Sequence, residues 1–356
     1  NLEMIWVEPG TFTMGSPETE VGRNNTAGRE TEHEVTLSNG FYLGKYEVTQ
    51  AQYEAVMTGV SGDLNATPST FAGNLNRPVE QVSWDDVQVF LSRLNEQQAD
   101  NIPEGWAYVL PTEAQWEYAC RAGTTTAYSW GDSITYGDAN YNNSIGQTTD
   151  VGQYSANPWG FFDMHGNVWE WASDWYATYS SGAVTDPEGP ATGSDRVDRG
   201  GSWSNTDAGL RSAVRDRSSP SRRDNRIGFR VAYRQVTEPP TDLNSTAPLT
   251  INENQPIGTI VGEFNSTDPE GGEITYHFVN GENNNSLFVL DAFGTLKTAT
   301  TFDYESNAST YTITVQAKDE LNASTENTFV VTLEDIYEPS RDNHSVDLNS
   351  TVSLEM

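Results

Sequence analysis

Hydrophobic and polar positions follow two different patterns along this chain, and the change comes near residue 236. Before it, short apolar runs alternate with helical spacing and long loops rich in Gly, Asn and Trp. After it, β-branched runs of strand length recur between clusters of Gly, Asn, Asp and Pro. The joint, RQVTEPPTDLN, contains a Pro pair that disfavours helix. The pattern predicts modules at 1–236 and 237–339, followed at 340–356 by a linker or the start of a further module.

Two segments of the first module have the features of helices. In VSWDDVQVFLSRLNEQQ, apolar side chains recur every three or four positions from Val87 to Leu94. Ser83 followed by Asp86 resembles the start of a capped helix. The segment PTEAQWEYACRAG begins with Pro and ends with Gly, as helices often do. Together with short strands, these segments predict an α+β module with many loops.

The second module is predicted to be an antiparallel β-sandwich. Its strand-like runs alternate in polarity or are β-branched, and turn residues separate them. The runs are LTIN, GTIVGEF, ITYHFV, LFVL, TLKTA, YTITVQA and TFVVTLE.

Composition excludes several classes of function. The 356 residues include 51 acidic and 19 basic ones, a formal net charge of −32, which argues against binding nucleic acid or an anionic membrane surface. No apolar run reaches 18 residues, so no membrane insertion is expected. The start NLEMIWVEPG lacks signal-peptide features, and we expect any signal to have been removed or left out. The single cysteine, Cys120, permits no intrachain disulfide.

Five ordered segments of the first module resemble the formylglycine-generating enzyme (sulfatase-modifying factor) family. They are IWVEPGTFTMGS, RPVEQVSWDDVQVFLSRLN, LPTEAQWEYACRAG, NPWGFFDMHGNVWEWASDWY and RVDRGGSWSN with the RSAVRDR and NRIGFRVAY that follow it. The resemblance covers roughly residues 3–234. It implies a loop-rich α+β domain of C-type-lectin-like topology, stabilised by two structural calcium ions.

The resemblance also implies positions for the calcium ligands. One site would use the side chains of Asp163 and Glu170 and the carbonyls of Gly166 and Val168. The other would use Asn140 and the Tyr141 carbonyl, its remaining ligands falling in a stretch that is shorter here. Calcium prefers such mixed oxygen ligands. The alternative is that these carboxylates only cap turns and face solvent.

The chain departs from the family where its redox chemistry takes place. The family enzyme oxidises a substrate cysteine using a pair of copper-binding cysteines, and here their positions fall on Asn205 and Leu210. Thiolates are the ligands that Cu(I) prefers, and Cys120, in a predicted helix, is more typical of a small core residue. His165 is expected to make local hydrogen bonds rather than bind a metal.

Family members without the cysteine pair include ligand-binding proteins, and the segment around the lost pair is the predicted binding surface. Seven arginines lie within 20 positions there. They form either a basic face for an anionic or glycan ligand or internal ion pairs with the abundant carboxylates. The predicted ligand-binding residues are Trp203, Ser204, Asn205, Thr206, Asp207, Arg211 and Arg215.

The second module resembles a cadherin repeat. The segments that carry the resemblance are APLTINENQPIGTIVGEFNSTDPEGGEITYHF, LFVLDAFGTLKT, TFDYES, YTITVQAKDE and FVVTLEDIYEP. The resemblance implies an all-β cadherin-like sandwich with calcium ligands at both ends; the alternative is a merely solvated acidic surface. Glu253, Asp303, Glu305 and Asp335 would line the C-terminal end, and Asp268, Glu270 and Asp319 the N-terminal end.

These observations favour a secreted or cell-surface, calcium-stabilised protein without enzymatic activity. It would bind a protein or glycan ligand, or copies of itself. Two alternatives stay open: a structural subunit of an extracellular filament or layer, and a sulfatase-maturation-type oxidoreductase that uses other residues.

Overall fold

The computed structural model divides the chain into two compact units, Asn1–Gln235 and Val236–Met356. It describes residues 1–336 except 27, 60–63, 104, 180, 270, 280–282 and 320–322. Within that part of the chain, no helix has the length and apolar character needed to cross a membrane.

The described residues of the first unit form three α-helices, each of which begins at a capping box. They are α1 (Gln50–Met57), α2 (Trp84–Gln98) and α3 (Glu113–Arg121). The N-cap residues Thr49, Ser83 and Thr112 accept a hydrogen bond from the backbone three positions on, and the side chain at that position bonds back. The predictions of α2 and α3 are confirmed.

The strands of the first unit form three small sheets. The strands are β1 (Met4–Val7), β2 (Gly10–Met14), β3 (His33–Leu37), β4 (Phe41–Gly44), β5 (Trp106–Val109), β6 (Trp169–Trp175), β7 (Val184–Thr185), β8 (Arg196–Arg199), β9 (Arg215–Ser218), β10 (Ile227–Phe229) and β11 (Ala232–Gln235). Their orders are β1-β4-β11-β5, β10-β6-β8-β9 and β2-β3-β7. The unit is thus a mixture of helices and small sheets, as the sequence predicts.

Aromatic and aliphatic side chains form the core of this unit in two main clusters. One joins α1 and α2 to β6 and β10, with Phe90, Trp171 and Phe229 fully buried. The other joins α3 to β1, β3 and β4 around Trp116. Backbone hydrogen bonds, side-chain hydrogen bonds and buried ion pairs together hold the long loops between the small sheets.

One side chain completes the hydrogen bonding of an edge strand. β5 is the last strand of its sheet. Asn95 of α2 donates from Nδ2 to the Tyr108 carbonyl at 2.9 Å and accepts from the Tyr108 amide at Oδ1, 2.8 Å away. The side-chain amide therefore takes the place that a neighbouring strand would otherwise fill.

Within its described residues, the second unit contains β-strands and one short 3-10 turn. Its strands are β12 (Thr241–Ser245), β13 (Leu249–Asn252), β14 (Ile260–Thr267), β15 (Thr275–Phe278), β16 (Phe288–Leu290), β17 (Thr295–Thr298), β18 (Thr310–Lys318) and β19 (Ser324–Glu334). They form two four-stranded sheets, β12-β14-β17-β16 and β13-β19-β18-β15, around one apolar core. The seven predicted runs each coincide with a strand.

Candidate functional site

The predicted binding segment is a closed turn that follows two glycines. Gly200 and Gly201 have φ of 90° and 75°, and a Cβ on Gly201 would lie 2.6 Å from the Gly209 carbonyl oxygen. Ser202 donates to Asn205 Oδ1 from its backbone N, at 3.1 Å, and from its hydroxyl, at 2.6 Å. Asn205 therefore holds the turn shut from inside.

Trp203 is fixed from several sides. Its indole donates to the Asn225 carbonyl at 3.1 Å, and its ring packs edge-on against Phe71. Its backbone N donates to the Asn167 carbonyl at 2.8 Å, and its carbonyl accepts from the Asn143 amide, also at 2.8 Å. Trp203 is thus half-buried, and its contacts hold in place the segment that begins at Ser204.

An acidic cleft of about 510 Å³ lies beside this turn. Thr206 and Asp207 are exposed, and Asp207 lines the cleft together with Glu20 and Asp132. Tyr128 closes one wall, and its hydroxyl donates to the Asp207 carbonyl at 2.8 Å. Burial raises the pKa of Glu20, in opposition to its ion pair with Arg211. A cleft with this lining favours a cationic or uncharged ligand.

Of the two alternatives left open for the seven arginines, ion pairing with carboxylates is the one that the structure favours. Arg211 and Arg215 are buried: Arg211 bonds to Glu20 and Glu30, and Arg215 bonds to Glu113. The other five arginines of the segment also lie within 4.0 Å of a carboxylate: Arg217, Arg222, Arg223, Arg226 and Arg230. The pairing is internal for Arg211, Arg215 and Arg230, whereas the other four arginines pair at the surface. The predicted ligand-binding residues Arg211 and Arg215 are therefore supports of the fold rather than ligand contacts.

The two positions that correspond to the family's cysteine pair carry Asn205 and Leu210. Asn205 holds the turn, and the Leu210 side chain is fully buried. Cys120 is also fully buried, and desolvation raises the pKa of its thiol to about 12. His165 makes the local hydrogen bonds expected of it: its Nδ1 lies 2.7 Å from the Leu210 carbonyl and its Nε2 3.1 Å from the Ser129 hydroxyl. Desolvation lowers the pKa of His165 to about 4, which keeps the ring neutral.

A group of buried carboxylates occupies the predicted calcium position in FDMHGNVWEW. Asp163 has a φ of 59°, a conformation that Asp and Asn tolerate, and its Oδ2 accepts from the Gly152 amide at 2.6 Å. Desolvation raises its pKa to about 6. Glu170 instead accepts from Arg230 and from the Trp116 indole. Glu47 is buried nearby, and its pKa is raised well above normal, first by desolvation and then by the charges of Asp163 and Glu170.

Glu47 is a residue that the sequence analysis missed. It accepts from the Val168 amide at 3.1 Å and from the Asn167 side chain at 2.6 Å, and thus holds the loop that follows Gly166. Nothing in KYEVTQ distinguishes this glutamate from an exposed one. Glu47, Asp163 and Glu170 lie near only one arginine, Arg230, among the described residues. This excess of negative charge could be neutralised by a bound cation.

The second predicted position in this unit also has an oxygen without a partner. Asn140 donates from Nδ2 to the Gln147 carbonyl at 2.9 Å, while its buried Oδ1 makes no hydrogen bond within the described residues. The Tyr141 carbonyl accepts from the Ser144 amide at 3.0 Å. A buried amide oxygen without a hydrogen-bond partner is suited to a hard cation.

In the second unit, three predicted acids come together. Glu253, Asp303 and Glu305 each offer an oxygen within 4.8 Å of the others. The pKa of Glu253 is lowered, first by the hydrogen bonds that the Tyr304 and Ile336 amides donate. A further lowering comes from a side-chain hydrogen bond with Asp335, which places Asp335 beside the group. The C-terminal end of the sandwich thus collects carboxylates that a cation would neutralise.

At the other end of the sandwich, the predicted acids hold loops. Asp268 accepts from the Gly272 amide at 3.0 Å, and Asp319 accepts from the Ala323 amide at 2.9 Å and from the Thr237 hydroxyl. Among the residues that the structure describes, these acids do not belong to a compact group of three. Glu270 and residues 340–356 lie outside the described residues.

Known proteins similar to this chain fall into several functional groups. It is 32% identical over 257 residues to the serine/threonine-protein kinase pkn1 of Chlamydia caviae, covering 65% of this chain and 38% of that one. It is 27% identical over 293 residues to the formylglycine-generating enzyme of Mus musculus, covering 65% and 74% respectively. The chain therefore spans well under half of the kinase.

Solved structures resemble the first unit at a similar level. Treponema denticola variable protein 1 is 28% identical with a TM-score of 0.54, and PvdO from Pseudomonas aeruginosa is 29% identical with a TM-score of 0.55. Each likeness covers 65% of this chain and 94% of the other.

Two family models match, in the order that the motifs indicate. The sulfatase-modifying factor enzyme 1-like domain covers residues 1–235, and the cadherin domain covers residues 247–334. The chain therefore belongs to the sulfatase-modifying factor enzyme 1-like family and carries a cadherin domain after its family domain.

Proposed function

We propose that this chain is an extracellular or surface-displayed binding protein in which the family domain recognises a partner and calcium stabilises both units. The observation that carries the proposal is the pair Asn205 and Leu210. Where relatives carry thiols, this chain has an amide that closes a turn and a buried aliphatic side chain. Neither can bind Cu(I) or form a bond to a substrate thiol.

The remaining thiol does not restore that chemistry. A thiol must ionise to act as a nucleophile or a metal ligand, and the raised pKa of Cys120 keeps it protonated at neutral pH. Its backbone and neighbours are also buried, so a peptide has no access to the sulfur. These facts support recognition rather than oxidation.

The charge of the acidic cleft supports a partner with basic side chains. Asp132 and Asp207 line an open cleft, and the nearby arginines are already paired. A lysine- or arginine-containing segment of a partner protein fits this charge, whereas the anionic ligand considered from the sequence does not. Thr206, exposed and next to Asp207 in the chain, offers a hydroxyl for a hydrogen bond.

Calcium would act by neutralising charge. In the second unit, the ligands are Glu253, Asp303 and Glu305, with Asp335 beside them. In the first unit, Asp163 and Asn140 supply the side-chain oxygens. Bound calcium would remove the repulsion among these carboxylates and so stabilise the folded units. A cadherin domain stabilised in this way favours an extracellular location and contact with other proteins.

The test is selection from a random peptide library on the immobilised full chain, followed by titration of the recovered peptides. We expect enrichment of lysine and arginine, and at least tenfold weaker binding by Asp132→Asn with Asp207→Asn. Asp207→Asn retains the oxygen that accepts from the Ala208 amide. Glu263→Gln removes one exposed charge in the second unit and serves as the control.

Two results would contradict the proposal. One is enrichment of acidic peptides, or binding that is indifferent to both aspartates. The other is conversion of a cysteine-containing peptide to its aldehyde by the copper-loaded chain, measured by mass spectrometry.

A further inference from the structure

Five aromatic side chains form a continuous row across the β1-β4-β11-β5 sheet, here called the aromatic row. Trp6 stands opposite Tyr42, Tyr42 opposite Tyr233, and Tyr233 opposite Tyr108 in the strand register, with Trp106 beside them. Ring centroids are 5.0 Å apart for Trp6 and Tyr42, 6.1 Å for Tyr42 and Tyr233, and 4.7 Å for Tyr233 and Tyr108. Residues directly opposite on paired strands share a face, so all four strands contribute to one surface.

The aromatic row faces outward, and two of its five rings are exposed. Trp6 is 40% exposed and Tyr42 37%, and the other three rings are half-buried. Trp6 has a fixed place, because Gly40 leaves room for its ring: a Cβ there would lie 2.2 Å from Trp6 Cζ2. The row is therefore built into the sheet.

The polar atoms of the row lack hydrogen-bond partners in the part of the chain that the structure describes. Among those residues, the hydroxyls of Tyr42, Tyr108 and Tyr233 and the indole N–H groups of Trp6 and Trp106 make no hydrogen bond, and the three half-buried rings contain no buried unpaired polar atom. Aromatic faces with unpaired hydroxyls and N–H groups along them suit a ligand that is both apolar on its faces and rich in hydroxyls.

We propose that the aromatic row binds a neutral polysaccharide chain. Rings in neighbouring strands repeat at about 5 Å, close to the length of one sugar unit, so the row matches about three units in succession. Sugar C–H faces would stack on the rings while sugar hydroxyls take up the free ring donors. A purely apolar partner would leave those donors desolvated and unpaired, which is costly.

The charge of the chain favours a neutral polysaccharide over an anionic one and over a second copy of the chain. The five side chains of the row carry no charge at neutral pH, whereas the chain carries −32. That charge repels anionic polysaccharides and a second copy of the chain. Successive ring planes are inclined by 60°, 43° and 36°, so the row suits a single twisted chain better than a flat crystalline surface.

The test is affinity electrophoresis of the full chain in gels containing soluble β-1,3-glucan, mixed-linkage β-glucan, galactomannan or starch, with polygalacturonate as the anionic comparison. We expect at least one neutral polysaccharide to retard the chain and polygalacturonate not to. Tyr42→Ala and Trp6→Ala should weaken binding at least tenfold. Tyr42→Phe, which removes only a hydroxyl, should weaken it several-fold.

Controls separate folding from recognition. Circular dichroism and melting confirm that each variant folds, and Gly40→Ala displaces the Trp6 ring without removing it, so it should also weaken binding. Phe293→Ala removes a 90% exposed ring of the second unit and should bind as the parent does. The Asp132→Asn, Asp207→Asn variant tests the separate peptide cleft and should retain polysaccharide binding.

The proposal is overturned if no neutral polysaccharide retards the folded chain, or if Tyr42→Ala binds as tightly as the parent. It is also overturned if the chain dimerises in a concentration-dependent way that Tyr42→Ala abolishes, because a second copy would then cover the row.

Discussion

Arg230 and Glu170 form a two-pronged ion pair inside the first unit, with Nε to Oε2 at 2.9 Å and Nη2 to Oε1 at 2.7 Å. Both side chains are at most 1% exposed. Arg230 also donates to the carbonyls of Gly44 and Phe162, so one guanidinium joins β4, β6 and the loop before Asp163. Glu170, which the family resemblance predicts to be a calcium ligand, is thus already paired with a buried arginine.

Removal of the Arg230 guanidinium should strongly destabilise the fold. Arg230→Leu leaves Glu170 buried beside Glu47 and Asp163 without compensation, and we expect a loss of about 3–5 kcal/mol in the free energy of unfolding. Urea denaturation measures it. Arg217→Leu, at an exposed arginine 3.9 Å from Asp195, is the control and should change stability by less than about 0.5 kcal/mol. A loss below 1 kcal/mol for Arg230→Leu would contradict this view of the pair.

Calcium should bind the second unit through its acidic end. A hydrogen bond from its own backbone favours ionisation of Glu305, but desolvation and the negative charges of Glu253 and Asp303 oppose it. The net effect is a raised pKa for Glu305. Glu305→Gln should therefore weaken calcium binding at least tenfold in isothermal titration and reduce the rise in melting temperature that calcium produces. Glu263→Gln should leave both unchanged. Equal calcium titrations for Glu305→Gln and the parent would exclude this group as the site.

Stability in chelator should fall as pH rises from about 4 to 7. Desolvation raises the pKa of Asp174, Asp198 and Glu80 to about 7, so the folded state retains protons that the unfolded state has released. The stabilisation from these protons is complete below the unfolded pKa and is lost above the folded one.

Asp198→Asn tests one of these groups. Asp198 lies opposite Asp216 on β9, and its buried Oδ1 has no partner among the described residues. Because the amide cannot ionise, the variant should be more stable than the parent at pH 8 by about 2 kcal/mol and flatten the pH dependence. Chemical denaturation at pH 5 and pH 8 gives both values. A variant less stable than the parent at pH 8 would show that the carboxylate is ionised and compensated.

Cys120 should resist modification until the chain unfolds. Its raised thiol pKa and full burial predict no labelling by iodoacetamide at pH 8 over hours, and complete labelling in urea, both read by mass spectrometry. Arg230→Leu offers an independent check, since its lower stability should speed the labelling. Rapid labelling of the folded parent would show that the sulfur is accessible after all.

The sequence predicted the elements well where one local signal decided them. The apolar spacing and the Ser83–Asp86 cap specify α2, and the alternating runs specify the second unit's strands. It missed α1, although Thr49 and Gln52 form the same kind of cap, because that helix is short and lies among loop-forming residues. It also missed β12, whose polar sequence TDLNS gives little strand signal.

The site was harder to predict because charge pairing is decided by tertiary structure. The arginines after Trp203 have the same local sequence whether they face a ligand or an internal carboxylate. Their partners Glu30 and Glu113 lie 181 and 102 positions away from Arg211 and Arg215. Glu47 was missed for the same reason. The acids of the C-terminal end could be anticipated, since the resemblance to a cadherin repeat supplied their positions.

The bonding of Asn95 to Tyr108 has a consequence for assembly. An edge strand with unpaired backbone groups can pair with a strand of another molecule, and fibres can grow in this way. Here the amide of a helix residue already occupies both groups of Tyr108, so strand addition at that point would have to displace it. Any ordered polymer of this protein should therefore not grow by strand addition at the Tyr108 position of β5.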